Sequence, residues 1–159
     1  MKLPLKFNNL LQEVNLIALL ELLNFASGYR VELKRLTGRG AFDTIRALVM
    51  ALHISQSDLS AKALENVTAE VIASMAQLPI TEEVSHSTLE GVTVGQKTKL
   101  AGMVERIARV LRETGEVLRR GGYLNLGTFI IECAKRSKID GKTGISGSIF
   151  IHQVSFPFF

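Results

Sequence analysis

Apolar residues recur at helical spacing through most of the chain. One apolar run covers residues 10–23, and a second covers residues 42–54, whose expected core-facing positions at helical spacing are Phe42, Ile45, Leu48, Val49 and Leu52. The clearest pattern lies in residues 98–120, where apolar residues recur every three or four positions and arginine and glutamate occupy the positions between them. Such spacing is typical of an amphipathic α-helix with one face in the core. Three principal helices are therefore predicted, the first of them over about residues 9–24.

Shorter helices are predicted between and after these three. Residues 59–64 and 68–77 have apolar positions at helical spacing. Gly121 predicts the end of the long helix, because glycine commonly follows the last helical turn. Asn125 is then the candidate N-cap of a last helix over residues 126–135, because a short polar side chain satisfies free amide groups at a helix start.

Two regions lack this helical pattern. Residues 80–97 are polar and contain glycine without strand alternation, and they predict an exposed loop. Residues 138–159 are rich in glycine and serine and end on an apolar sequence. The chain is therefore predicted to be all-α, a compact bundle of about six helices, with a helical domain over residues 1–137 and an irregular C-terminal segment over residues 138–159.

Two polar, glycine-bearing segments between the first two principal helices are the candidate binding region. They cover residues 22–30 and 37–42 and contain Gly28, Gly38 and Gly40. Glycine permits positive φ angles and close backbone approach, and loops held by rigid helices commonly carry binding groups. A small-molecule site is therefore expected to include part of these segments.

The composition limits the classes of protein to which this chain can belong. The chain has 159 residues, of which 47% are hydrophobic and 21% charged, with a net charge of +4. This composition is globular, and the modest charge excess is spread along the chain. It suits an anionic ligand such as a phosphate, whereas a nucleic-acid groove usually shows clustered lysine and arginine.

The sequence indicates neither a cysteine-based site nor a targeting signal. The single cysteine, Cys133, excludes an intrachain disulfide and a cysteine-based zinc site, and its apolar neighbours predict an inert buried thiol. The amino terminus lacks the layout of a signal peptide, and the apolar run 16–23 is too short to span a membrane. A cytoplasmic protein without membrane contact is expected.

No catalytic set can be assembled from the sequence. The three histidines, His53, His86 and His152, are isolated from one another. The segment 141–143 reads Gly-Lys-Thr, but a phosphate-binding P-loop needs a glycine at position 136, which is arginine. Catalytic residues are therefore left unassigned, and neither a metal nor a cofactor is predicted.

Three motifs, in this order, resemble a divergent branch of the queuosine-salvage family, the queuosine 5'-phosphate N-glycosylase/hydrolases, which recover a modified base of tRNA. The first is Leu22-Leu23-Asn24-Phe25, followed by a turn with an aromatic residue. The second is segment 109–118 of the long helix, followed by Gly122-Tyr123. The third is Phe156-Pro157-Phe158-Phe159, which is similar to the family's Phe-Pro-aromatic segment.

The resemblance implies a fold similar to helix-hairpin-helix DNA glycosylases. It also implies metal-free hydrolysis of the N-glycosidic bond of queuosine 5'-monophosphate, with release of queuine. Phe25 matches the family's Asn-Phe position and, with Tyr29, is expected to flank the base. Arg30 or Arg39 is expected to meet the phosphate, because guanidinium offers a bidentate fork. Each of the four also has an ordinary interpretation, as a core residue, a loop anchor or a solvated or paired cation.

Two departures from the family pattern change the expectation. The family's tryptophan after Asn-Phe is replaced by Ala26-Ser27-Gly28-Tyr29, and the chain contains no tryptophan. The family's catalytic aspartate and lysine follow the Phe-Pro segment, and this sequence stops at that segment. The chain is therefore expected to be a truncated or alternatively ended form that lacks the catalytic portion.

Two other functions are compatible with the sequence. The first is a non-catalytic helical interaction protein that binds a partner, or a second copy of itself, through the apolar end of residues 138–159. The second is a nucleic-acid-binding relative of the glycosylases. Residues 69–77, which would form the recognition helix of a helix-turn-helix, contain no lysine or arginine, and this weakens the second alternative.

Overall fold

A computed structural model describes residues 5–56 and 59–139. Within these ranges the protein is mostly helical, with seven α-helices, one 3₁₀ helix and one small antiparallel sheet. The elements in chain order are α1 (Leu5–Leu22), the 3₁₀ helix (Asn24–Tyr29), α2 (Arg30–Thr37), α3 (Ala41–Gln56), α4 (Ala61–Glu65), α5 (Ala69–Met75), β1 (Thr81–Ser85), β2 (Thr93–Lys97), α6 (Lys99–Arg120) and α7 (Leu126–Ile139).

Helix α6 is the centre of the fold, whereas the sequence predicted this position for the first helix; the amphipathic helix predicted over residues 98–120 is itself confirmed. Its apolar positions form a continuous buried face, and the residues fully or nearly fully buried include Leu100, Met103, Val104, Ile107, Leu111 and Leu118. Helices α2, α4, α5 and α7 and the 3₁₀ helix all contact it. Val117, although apolar, is 46% exposed and lies outside this buried face.

The α6–α4 crossing depends on a glycine. Gly115 is buried, and a Cβ at this position would lie 2.5 Å from the carbonyl oxygen of Ala61 and 2.9 Å from the amide nitrogen of Glu65. Real Cβ atoms do not approach backbone atoms so closely. Helix α4 therefore packs directly on the backbone of α6, in a position that a larger residue would exclude.

A second close contact joins α1 to α7. A Cβ at Gly127 would lie 2.8 Å from the amide nitrogen of Asn15. The Gly127 amide donates a 3.0 Å hydrogen bond to the side-chain oxygen of Asn15, which is almost fully buried. Because buried polar groups need partners, this bond accounts for a polar residue in the middle of an apolar helix. At the start of α7 the predicted cap is confirmed, since the Thr128 amide donates to Asn125 Oδ1 at 2.8 Å.

The sequence prediction for the connection between the first two principal helices is wrong. A short polar loop was expected, but the chain forms the 3₁₀ helix and then α2. Helix α2 is mostly polar, and Leu33 is its only buried residue, which explains why hydrophobic spacing gave no signal. It ends at Gly38, whose φ of +73° lies in the left-handed region that favours glycine.

The prediction of an exposed loop over residues 80–97 is also wrong. Strands β1 and β2 pair antiparallel there, with Thr81 opposite Lys97 and Ser85 opposite Thr93. Arg35 of α2 attaches the hairpin to the helices through 3.0 Å bonds to both carboxylate oxygens of Glu82. The hairpin is mostly solvent-exposed, so its strands lack the buried alternation that identifies strands in a sequence.

The predicted domain boundary stays a prediction. Helix α7 continues to Ile139, beyond the expected boundary after residue 137. Residues 140–159, which include the Phe-Pro motif and the Gly-Lys-Thr segment, lie outside the described ranges. Among the described residues, no helix combines the length and the apolar character that crossing a bilayer requires.

Candidate functional site

The two segments singled out in the sequence meet at a cavity between the 3₁₀ helix and α3. Its volume is about 90 Å³. The first segment, with the preceding turn of α1, and the beginning of α3 form its walls. The lining residues are Leu20, Leu23, Asn24, Ala26, Ser27, Ala41, Phe42 and Ile45.

The 3₁₀ helix decides which side chains face this cavity. The Ala26 amide donates to the carbonyl of Leu23, and the Arg30 amide donates to the carbonyl of Ser27. Such three-residue spacing places Asn24 and Ser27 one above the other. Both lie at the cavity, whereas Phe25 between them does not.

An exposed aromatic ring lines the cavity, and a cation is bonded to one of its residues. Phe42, which the helical spacing of α3 predicted to face inward, is 68% exposed and lies at the cavity wall. Arg30 Nη1 donates a 3.3 Å hydrogen bond to the carbonyl of Ser27, another cavity residue. Ligand sites are commonly apolar with a few polar groups, and this cavity shares that composition, although at about 90 Å³ it is smaller than the roughly 300–1,000 Å³ of a typical site.

Phe25 and Tyr29, the predicted base-flanking residues, do not line this cavity. Both are half-buried and pack against the core. The guanidinium carbon of Arg106 lies 4.1 Å from the centroid of the Phe25 ring, so a cation already covers one face of that ring. The contacts of Phe25 are thus with the core and with α6.

Arg39, the other predicted phosphate ligand, lies at a different surface depression, beside the end of α5. Its Nη2 donates to the carbonyl of Ala76 at 2.7 Å and to the carbonyl of Gln77 at 3.4 Å. Both Arg30 and Arg39 donate to backbone carbonyls. None of the four predicted site residues lines the cavity, and Arg30 is linked to it through its hydrogen bond to the Ser27 carbonyl.

The carboxylates with shifted pKa values belong to an ion-pair network. Hydrogen bonds from Arg35 lower the pKa of Glu32 and of Glu82 below the ordinary value. A general acid needs a raised pKa, so neither group has the protonation behaviour of a catalytic acid. Burial raises the pKa of the half-buried Cys133 thiol, which agrees with the inert thiol predicted from sequence.

None of the eight lining residues was predicted as a site residue, and three of them, Asn24, Ser27 and Phe42, have polar or aromatic side chains. All three lie inside the two segments that were selected, so the region was found although the individual residues were not. The orientation of these side chains depends on the 3₁₀ geometry, which has no sequence pattern of its own here. Within residues 5–56 and 59–139, no three His, Cys, Asp or Glu side chains lie close enough together to hold a metal ion.

Comparison of the chain with protein-family models, with curated proteins and with solved structures finds no match.

Proposed function

We propose that this protein binds a nucleoside 5'-monophosphate of the queuosine type at the cavity beside the 3₁₀ helix, as a relative of the queuosine-salvage N-glycosylases. The observation that carries the proposal is the cavity itself, which is lined by both segments selected from the sequence as the candidate binding region, one of which contains the first resemblance motif. We propose a bundle of the helix-hairpin-helix glycosylase type as its fold, and the mostly helical architecture is compatible with it.

The size of the cavity suits one edge of a planar base. Its volume is about 90 Å³, whereas an apolar cavity on the order of 150 Å³ holds benzene. The ring would therefore enter from the open side, with the exposed ring of Phe42 against it, while ribose and phosphate stay outside. Asn24 and Ser27 would hydrogen-bond to the base, because amide and hydroxyl groups both donate and accept.

The cation at the mouth suits the phosphate. Arg30 uses Nη1 for the Ser27 carbonyl, and its other guanidinium nitrogens have no acceptor among the described residues. A guanidinium held in this way offers two parallel donors to a phosphate. The net charge of +4 also favours an anionic ligand over a neutral one.

The proposal assigns binding residues and no catalytic residue. Cleavage of an N-glycosidic bond needs a carboxylate near the sugar, and none of the residues that line the cavity is an aspartate or a glutamate. Hydrolysis is thus a separate question from binding, and we expect the chain to bind the nucleotide without releasing queuine.

Calorimetric titration with queuosine 5'-monophosphate, with queuosine and with guanosine 5'-monophosphate tests this proposal. Queuosine 5'-monophosphate is expected to bind more tightly than the nucleoside by about tenfold, the contribution of one charged hydrogen-bond pair. Arg30→Gln is expected to remove this difference, whereas the control Arg136→Gln, on α7, should keep it. Equal affinities for nucleotide and nucleoside in the unmodified protein would refute the assignment of Arg30.

Mass spectrometry of the same mixtures reads free queuine. Without release of base, the protein binds the nucleotide without cleaving it, as proposed. Release of queuine would overturn the absence of catalysis and would require a carboxylate that the present assignment does not contain.

A second candidate function is self-association through the exposed face of α3. This face carries Phe42, Met50 and Ile54, which are 68%, 42% and 79% exposed. Three large exposed apolar side chains on one helix are more than the single exposed residues normal for a monomer, although the exposed Asp43 and Arg46 lie among them. Size-exclusion chromatography over a range of concentrations tests it, with Ile54→Ser expected to abolish any concentration-dependent dimer.

A further inference from the structure

A second surface depression, between α4 and the turn that joins α6 to α7, has the composition of a ligand site. Its volume is about 840 Å³, and none of its lining residues lines the cavity beside the 3₁₀ helix. The residues that matter for its chemistry are Lys62, Glu65, Arg119, Tyr123 and Leu124. They form a cationic side and an apolar side.

The cationic side is built around a fixed guanidinium. Arg119 Nε donates to both carboxylate oxygens of Glu65, at 2.9 and 3.1 Å. None of the described residues accepts a hydrogen bond from its two terminal nitrogens. Arg119 is therefore oriented through one nitrogen while the fork that binds anions stays available. Lys62, one turn before Glu65 on α4, adds a second cation to the same depression.

The apolar side is fixed by the end of α6. The Tyr123 amide donates to the Leu118 carbonyl at 2.9 Å, and the Gly122 amide donates to the Arg119 carbonyl at 3.1 Å. With the positive φ of Gly122, these bonds form a Schellman motif, which ends the helix in a defined geometry. The Tyr123 ring also packs edge-on against Phe129, with the ring centroids 4.9 Å apart.

Leu124 completes the apolar side. Its side chain is 61% exposed, although its carbonyl accepts a 2.7 Å hydrogen bond from the Ala61 amide. The backbone of the turn is thus attached to α4, so the leucine is held at the depression without being buried. An exposed leucine beside a tyrosine ring offers a surface to an apolar group.

We propose that this depression binds a small organic anion, a phosphate monoester or a carboxylate, that carries an apolar or aromatic group. Arg119 and Lys62 bind the anion, and Tyr123 and Leu124 contact the apolar group. This site goes beyond the proposed nucleotide site, shares no residue with it and does not depend on it.

Phenyl phosphate is the probe for the first test, with inorganic phosphate and benzoate as companions, and ¹H–¹⁵N NMR of the full chain is the readout. Phenyl phosphate is expected to shift the amides around residues 119–124 in a saturable manner. Arg119→Gln is expected to weaken its binding by about tenfold, since a charged pair is lost. The matched control is Arg120→Gln on the same turn, because Arg120 pairs with Glu116 and does not line the depression.

Leu124→Ser tests the apolar side of the site independently of the cationic side, and it removes no buried side chain. It is expected to weaken phenyl phosphate severalfold and to leave inorganic phosphate unchanged, because the lost contact is apolar. Benzoate distinguishes the anion: saturable benzoate shifts at residues 119–124 assign a carboxylate, and their absence beside phenyl phosphate shifts assigns a phosphate monoester.

Three results would overturn the proposal. One is the absence of saturable shifts at residues 119–124 with either organic anion. Another is equal weakening by Arg119→Gln and Arg120→Gln, which would mean nonspecific attraction to positive charge. The third is equal affinity for phenyl phosphate and inorganic phosphate, which would mean that Tyr123 and Leu124 take no part.

Discussion

The guanidinium carbon of Arg106, on α6, lies 4.1 Å from the centroid of the Phe25 ring, on the 3₁₀ helix. This contact joins the candidate site to the central helix of the fold. The guanidinium covers one face of the Phe25 ring, which the sequence resemblance predicted to contact a nucleobase. Phe25 is therefore better described as the residue that anchors the 3₁₀ helix, and its neighbours Asn24, Ala26 and Ser27 line the cavity.

Replacing Arg106 by methionine should weaken this anchor while keeping most of the aliphatic packing. We expect the free energy of unfolding to fall by about 0.5–1 kcal/mol, the range for an exposed cation–π pair. Arg109→Met, one turn further along the exposed face of α6, is the control and should change stability by less than about 0.5 kcal/mol. Urea unfolding measures both, and equal losses would show that the ring contact contributes nothing.

Replacement by alanine is expected to have opposite effects on stability at two glycines of α6. Gly115→Ala places a methyl group against the backbone of α4, and we expect a loss of about 1–3 kcal/mol from overpacking. Gly102→Ala meets nothing within 4 Å, so its higher helix propensity should stabilise the protein by roughly 0.5–1 kcal/mol. Urea unfolding of the two variants measures both changes in stability. A stable Gly115→Ala protein would contradict the close α4–α6 crossing.

The ion-pair network of Arg35 predicts a pH dependence. Arg35 lowers the pKa of Glu32 and Glu82 below their ordinary value of 4.5, so both carboxylates stabilise the fold above that value. This contribution is lost as the pH falls through the lowered pKa values. Arg35→Gln should raise both values towards 4.5 and reduce the dependence of stability on pH in the acidic range.

Carbon-13 NMR titration of the glutamate carboxyls measures this effect directly. Arg109→Gln is the control, since none of the described carboxylates pairs with Arg109. Unchanged midpoints of Glu32 and Glu82 in Arg35→Gln would mean that the network has no electrostatic effect in solution.

The parts of the fold that the sequence predicted are those that bury a regular apolar face. Helix α6 is the clearest case. Its buried residues, from Leu100 to Leu118, recur at helical spacing and face the core. Helix α2 and the hairpin were missed because they bury little. Arg35 and Glu82, which join them, are 47 residues apart in sequence, and no local pattern reveals such a pair.

The candidate site was predicted as a region and only partly as residues. Segments 22–30 and 37–42 do line one cavity, and glycine and polar residues between two apolar helices were a sufficient signal for that. The roles of Phe25 and Arg39 depended on directions that only the folded backbone defines. Phe25 points to Arg106 and Arg39 binds the Ala76 carbonyl, whereas Phe42, expected in the core, stands at the cavity mouth.

The most direct test of nucleotide binding at the cavity is a ¹H–¹⁵N NMR titration with queuosine 5'-monophosphate. The account predicts saturable shifts at Asn24, Ser27 and Phe42, weakened by about tenfold in Phe42→Ala, which loses the aromatic contact. Ile54→Ala removes an equally exposed side chain from the far end of α3 and should bind normally. Absence of saturable shifts at these three residues, or equal weakening in both variants, would contradict the account.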